Sequence, residues 1–138
     1  MKEIVNLMVN EFNILEAGID FMGYRITDRR KLSFHHLITS KKNGGKETIE
    51  NGAILLRDPH DYLHIIEKSD KKIYRAIREQ MIIENMKRQI YMPSIEKIDE
   101  LLREYEEVHS EDTTKGGYYL IKDVYRRRLL TEKDENYY

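Results

Sequence analysis

Four of the five histidines fall within 30 residues. His35 and His36 are adjacent, and His60 and His64 are four apart, with Asn51 between the two pairs. Imidazole is a good ligand for zinc, nickel and other borderline divalent metals. Two side chains four residues apart on a helix project from one face, so His60 and His64 are spaced to share one ion. A strand carrying His35 and His36, folded against that helix, brings three imidazoles to the ion. The fourth then stays free as a general base near neutral pH. Neighbouring residues of a regular strand point to opposite faces, so both histidines reach one site only where the strand is bulged, strongly twisted or ending. The chain has no cysteine. That excludes disulfides, thiolate zinc sites, iron–sulfur clusters and cysteine nucleophiles, and fits a reducing compartment.

The elements that must position these residues can be read from pattern. Ile4, Leu7, Met8, Phe12 and Leu15 recur at spacings of three and four and predict a helix over 3–16, closed by Gly18. Tyr24 to Ile26 reads as a short strand, and Leu32 to Ile38 as a longer one. Thr39 to Gly45 is polar, with Asn43-Gly44-Gly45 at its tip, which is turn chemistry. Thr48 to Leu56 returns as a second strand, interrupted at Asn51-Gly52. Asp58 reads as an N-cap and Pro59 as a first-turn residue of a helix running from His60 to about Lys68. A longer helix over 71–91, with Ile73, Ile77, Met81 and Ile90 apolar, is stopped by Pro93. Ser94 caps another over 95–108, where Ile95, Ile98, Leu102 and Tyr105 fall at heptad-like spacing. These last two helices are expected to pair as an antiparallel hairpin, or against a second copy of the chain as a homodimer. His109 is expected to be exposed near a helix end. A loop over 109–117 follows, then an ordered stretch over 118–130 that fits strand or helix, then a frayed tail.

At 138 residues with 40% hydrophobic and 36% charged side chains, the chain is about one domain long and is not of disordered composition. No apolar run approaches the roughly 18 residues of a membrane span, and Met1-Lys2-Glu3 does not open a secretion signal. The expectation is a soluble, cytoplasmic protein that makes no membrane contact. The net charge of −1 hides a split. Residues 25–46 carry Arg25, Arg29, Arg30, Lys31, Lys41, Lys42 and Lys46 against Asp28 alone, while residues 95–112 carry eight acids against Lys97 and Arg103. The split suits one anion-facing surface and one that is solvated or faces a partner, though on charge alone the better account is that charged faces simply keep a small protein soluble.

The segments FHHLIT, NGGKETIENGAILL and HDYLH, in that order, resemble the HNH nucleases, the ββα-metal family. The spacings, 15 residues from His36 to Asn51, 24 from His36 to His60 and four from His60 to His64, are similar to those of the bacteriocin-type DNases. The resemblance covers about residues 32–68. It implies a ββα-metal core, placed over 24–68; with the elements read from pattern, the expectation is an α+β fold in a single domain, with an N-terminal helix and turn over 1–23, a helical C-terminal part over 69–131 forming a hairpin, and a tail over 132–138. It implies metal ligation by His35, His60 and His64, with His36 as the base that activates water. Asn51 would tie the inter-strand loop and hold His36 in orientation. It also implies a distorted strand at His35-His36, and cleavage of DNA phosphodiesters to 5′-phosphate and 3′-hydroxyl ends, with RNA left open.

An all-imidazole shell suits zinc, nickel or manganese better than magnesium, which prefers oxygen. On this reading Arg25, Arg29, Arg30, Lys41, Lys42, Lys46 and Arg57 are candidates to touch backbone phosphates, which carry affinity and little sequence information. Tyr118, Tyr119 and Arg126 to Arg128 could form a second such surface, but ordinary packing and solubility explain those five better. The sequence departs from the family pattern at Thr39, where proline is common, at Gly52, where leucine is common, and in lacking Cys-x-x-Cys pairs. Two alternatives stand beside the nuclease. One is an HNH fold that binds nucleic acid or protein without cutting, to which the acidic helix over 95–108 is suited. The other is a zinc-protease helix of the His-Glu-x-x-His kind, to which His60 to His64 is similar. There Asp61 replaces the catalytic glutamate, one methylene too short.

Overall fold

The apolar spacing at the start of the chain does form a helix, α1 (Glu3–Glu11), in the computed structural model, which describes residues 2–87 and 95–109. The buried stripe is offset from the expected one. Val5, Met8, Val9 and Phe12 face the core, whereas Leu7 and Leu15 are exposed. The helix does not run on to residue 16. Asn13 takes a left-handed conformation (φ 53°), and a separate turn, α2 (Ile14–Ala17), follows and ends at Gly18. Asparagine tolerates that region better than most residues, and the break lets both Phe12 and Ile14 be buried. One continuous helix could not bury two residues so placed around its axis on one narrow stripe.

Tyr24 to Ile26 is not a strand; a single bridge joins Ile19 to Arg25. The loop is held instead by a buried carboxylate. Asp20 Oδ1 accepts the backbone N–H groups of Met22 (3.0 Å) and Tyr24 (2.9 Å), and Oδ2 accepts that of Leu56 (3.1 Å). Phe21 N–H bonds the Ile54 carbonyl beside it. The carboxylate thus ties the loop after α2 to the end of the second strand.

The two strands are β1 (Leu32–His36) and β2 (Gly52–Leu56), antiparallel in unbroken register from Leu32 opposite Leu56 to His36 opposite Gly52. Both are shorter than their apolar runs. β1 stops before Leu37, and Ile49–Asn51 is a 3-10 turn rather than strand. Every residue of β2 is buried. Gly52 is required there: a Cβ would sit 2.2 Å from the Phe34 ring and 2.9 Å from Met8 Sδ. The leucine common at this position in the similar family has no room.

Helix α3 (Arg57–Ser69) starts earlier than expected, with Leu56 at the N-cap. Asp58 lies in the first turn, where its charge suits the helix dipole, and Pro59 is buried there. Asp70 caps α4 (Lys71–Lys87) by accepting from Ile73 N–H at 3.1 Å. Helix α5 (Ile95–His109) packs on α4 with Ile98, Leu102 and Tyr105 buried. These three positions of the heptad-like stripe are therefore covered within the chain. His109 is not exposed. It belongs to α5, stacks on Tyr105 and bonds Asp70 through Nε2 at 2.9 Å, so the cap of α4 also anchors the end of α5. Residues 88–94 and 110–138, with the expected Pro93 stop, Ser94 cap, Tyr118, Tyr119 and Arg126 to Arg128, lie outside the described residues.

The described fold is α+β: five helices and a two-stranded antiparallel sheet. One core joins α1, both strands and α3 to α5. Among the described residues no helix is long and apolar enough to cross a membrane. Asp20→Ala would leave three buried N–H groups without their acceptor. Hydrogen bonds to a charged group contribute about 1.5–3 kcal/mol each, so a loss of at least about 3 kcal/mol is expected, read as a lower urea midpoint with unchanged slope.

Candidate metal centre

Strand period places Ser33 and His35 on one face of β1, and helix period places His60 and His64 on one face of α3. The two faces meet. His35, His60 and His64 each offer a ring nitrogen within 4.8 Å of the others, close enough to hold one metal ion. His35 is 3% exposed, His60 half-buried and His64 exposed, so the cluster is closed at its base and open at its mouth.

The hydrogen bonds around the rings assign which nitrogen each presents. Ser33 Oγ donates its one proton to the Leu55 carbonyl (2.8 Å), so it accepts from His60 Nδ1 (2.7 Å). His60 Nε2 is left with its lone pair, and it faces His35 Nδ1 at 3.3 Å. On the far side, His35 Nε2 meets the Tyr74 hydroxyl at 3.1 Å. His64 Nδ1 meets Glu67 Oε1 at 3.2 Å. A carboxylate can only accept, so His64 keeps Nε2 free. Two imidazole nitrogens bound tetrahedrally at about 2.0–2.1 Å from zinc lie about 3.3–3.4 Å apart. The His35–His60 separation fits that spacing.

Electrostatics agree with His35 and His60 kept free of protons. Burial first, then the charges that His60, His64, His36 and Arg78 would add, holds His35 well below the usual histidine range. Burial, with His64 and His36 nearby, pushes His60 down to about 4.

His36 stands apart from the cluster but lines the same cavity, of about 610 Å³. It is the last residue of β1, so both histidines reach one space because the strand ends there. The register shows no bulge, contrary to the distortion that the resemblance implied. The His36 ring packs edge-on against Phe34, with centroids 4.9 Å apart. Its Nε2 has no hydrogen-bond partner among the described residues. Burial lowers its pKa, against the opposing pull of Glu47.

Asn51 is buried and uses its whole amide on the inter-strand loop. Oδ1 accepts from the N–H groups of Ile38 and Thr39, both at 2.8 Å, and Nδ2 donates to the carbonyls of Thr39 (2.9 Å) and Lys46 (3.0 Å). Its own carbonyl takes Leu37 N–H at 2.9 Å, directly after His36. A proline at position 39 would remove one of these donors. Gly44 supplies the positive φ that closes the Lys41–Asn43 turn. Gly45 lies so close to the Thr39 carbonyl that a Cβ would meet it at 1.8 Å.

Of the cations proposed for phosphate, Lys41 and Lys42 line the cavity, and Lys46 lines a shallower neighbouring hollow. Arg30 grips Asp28 through Nε and Nη2, both at 3.1 Å. Arg25, Arg29 and Arg57 are exposed and do not line the cavity. Lys2, Glu67, Tyr74 and Arg78 line it without having been expected there. Tyr74 and Arg78 are four apart on α4, the same spacing as the histidine pair, and the Arg78 guanidinium lies 6.0 Å from the Tyr74 ring centroid. That shared spacing was the available signal.

No family model, no curated protein and no solved structure matches the chain.

Titration of the protein with zinc is expected to show one ion per chain. His35→Ala and His60→Ala should each weaken binding by at least about 100-fold, whereas His36→Ala should leave it intact; calorimetry checks both. The lowered histidines also fix a pH dependence. Their folded-state values lie below the unfolded value of about 6.5, so the unfolded chain takes up protons first as pH falls. Stability without metal is therefore full above about pH 6.5 and declines towards pH 4. The expected loss is about 1–3 kcal/mol for His60, allowing for its partial exposure. Urea unfolding at stepped pH reads it.

Proposed function

We propose that residues 32–69 are a ββα-metal core of the HNH kind and that the protein is a metal-dependent endonuclease acting on DNA. The observation that carries this reading is the division of labour inside one cavity. Three imidazoles converge on one point, and a fourth, His36, lines the same space, its buried Nε2 without a hydrogen-bond partner among the described residues. Three convergent nitrogen ligands alone would fit many metal sites. A separate, uncharged imidazole beside them suits a reaction that must deprotonate water next to a cation.

Hydrolysis of a phosphodiester needs an in-line nucleophile and positive charge near the scissile phosphate and the leaving oxygen. An ion held by His35, His60 and His64 would supply that charge. Zinc, nickel or manganese suits the nitrogen donors better than magnesium. His36 would take the proton from water, and its lowered pKa keeps it unprotonated at neutral pH, as a base must be. The displaced group is the 3′ oxygen, so the ends are a 5′-phosphate and a 3′-hydroxyl. Asn51 would act on the loop rather than on substrate, since its amide is fully used there. Lys41 and Lys42, at the rim, are placed to neutralise flanking phosphates.

The deciding assay is cleavage of supercoiled plasmid by metal-stripped protein with magnesium, manganese, nickel or zinc restored separately. Nicking is expected with at least one transition metal. His36→Ala should lower the rate by about 10²–10⁴-fold, the usual contribution of a general base, with metal binding retained. Intact metal binding without cleavage of plasmid or single strands would refute the nuclease. It would favour a module that binds without cutting, for which the exposed acids Glu96, Glu100, Glu104 and Glu107 of α5 offer a protein-facing surface.

A further inference from the structure

We infer that Glu67 is a positioning residue that orients two of the three imidazoles, His64 directly and His35 through the Tyr74 hydroxyl. The inference rests on the metal-site half of the reading above and not on nuclease activity.

Glu67 lies one turn beyond His64 on α3, and its Oε1 is 3.2 Å from His64 Nδ1. It is not a member of the group whose ligand atoms converge. Its reach is to the outer side of the rings. Glu67 and the Tyr74 side chain of α4 line the same cavity, with the carboxylate as the acceptor facing that phenol. A protonated phenol has one hydrogen and can also accept. Donating to Glu67, it is left to accept from His35 Nε2–H at 3.1 Å. His35 is thereby fixed with Nδ1 unprotonated, and that nitrogen faces His60 Nε2.

One carboxylate therefore sets the tautomer of a ligand on α3 and of a ligand on β1, and it spans to α4 in doing so. His60 is set independently by Ser33. Partners of this type raise ligand basicity and hold ring orientation, and losing one typically costs about 10–100-fold in metal affinity. Nothing in the local sequence requires an acid at this position, because a half-buried helical residue three after His64 could be any polar type.

The test compares full-length parent, Glu67→Gln, Tyr74→Phe and the double variant, with Asp61→Asn as a control. Asp61 is exposed on the same helix and removes the same charge. Zinc affinity is measured by competition with a chromophoric chelator, the Co²⁺ absorption spectrum reports the donor set, and thermal unfolding without metal reports the fold.

Glu67→Gln is expected to bind zinc about 10–100-fold more weakly, with an unchanged melting midpoint without metal and a Co²⁺ spectrum still typical of nitrogen donors. Tyr74→Phe should weaken binding by less. The double variant should fall well short of the product of the two single losses, because both act on His35 by one route. Asp61→Asn should bind as the parent does. The inference is overturned if Glu67→Gln binds zinc within twofold of the parent, if Asp61→Asn is as weak as Glu67→Gln, or if the single losses multiply. A Co²⁺ spectrum that changes its donor set in Glu67→Gln would make Glu67 a direct ligand, and that also overturns it. A parent that binds neither Zn²⁺ nor Co²⁺ refutes the metal centre itself, which is a distinct failure.

Discussion

The site depends on two side-chain periods meeting on one face. A strand repeats every two residues and a helix every 3.6, so only certain offsets let residues from both converge. Here Ser33 and His35 from β1 meet His60 and His64 from α3. The register between Leu32 and His36 and the opposite strand fixes the first pair. The start of α3, directly after Leu56, fixes the second. A one-residue slip of the strand pairing would put Phe34 where the ligand now stands and send both His35 and Ser33 to the other side. Asp20, which accepts Leu56 N–H, and Asn85, whose amide donates to the carbonyls of Ile49 (2.8 Å) and Gly52 (2.7 Å), pin the two ends of β2. These contacts lie outside the cluster, yet they resist the slip that would dismantle it.

The loop between the strands obeys a second constraint. It must leave β1 directly after His36 and return at Gly52 without hydrogen bonds of a sheet to guide it. Asn51 supplies the order that a longer ladder would have given, with two acceptor and two donor contacts on backbone groups from Ile38 to Lys46. This accounts for both departures from the similar family's pattern. Thr39 keeps an N–H that Asn51 uses, and Gly52 makes room for Phe34 and Met8. Gly45 closes on the Thr39 carbonyl from the other end. The loop carrying Lys41 and Lys42 is therefore fixed at its base, while those lysines remain exposed at the cavity rim.

Much of this was legible in the sequence, and the rest was not for physical reasons. His-x-x-x-His on a helix and His35 on a neighbouring strand announce a shared point because the periods are fixed. The strand and helix types around them follow from composition. What pattern could not supply was long-range choice. The break at Asn13 is made by the need to bury both Phe12 and Ile14, not by a local breaker. Asp20 resembles any loop acid until Leu56 N–H arrives 36 residues later. His109 looked solvent-facing because its partner, Asp70, is 39 residues away. Tyr74 and Glu67 are silent for the same reason: each is an ordinary helical residue until the packing of α3 on α4 sets them against the histidines.

The same packing sets the energetic balance of the site. His35 and His60, drawn together and largely removed from water, resist protonation. That resistance has a cost to the empty fold, since each lone pair turned inward forgoes a hydrogen bond with water. Without a metal, His35 Nδ1 and His60 Nε2 face one another at 3.3 Å and one proton at most can lie between them. A divalent ion would answer the inward lone pairs together, and at His35 and His60 it would meet little competition from protons at neutral pH. Binding free energy at such a site is recovered as folding stability. A chain with no cysteine, and a two-stranded sheet among its described residues, would thus have a physical reason to keep a cation there, beyond any chemistry the cation performs.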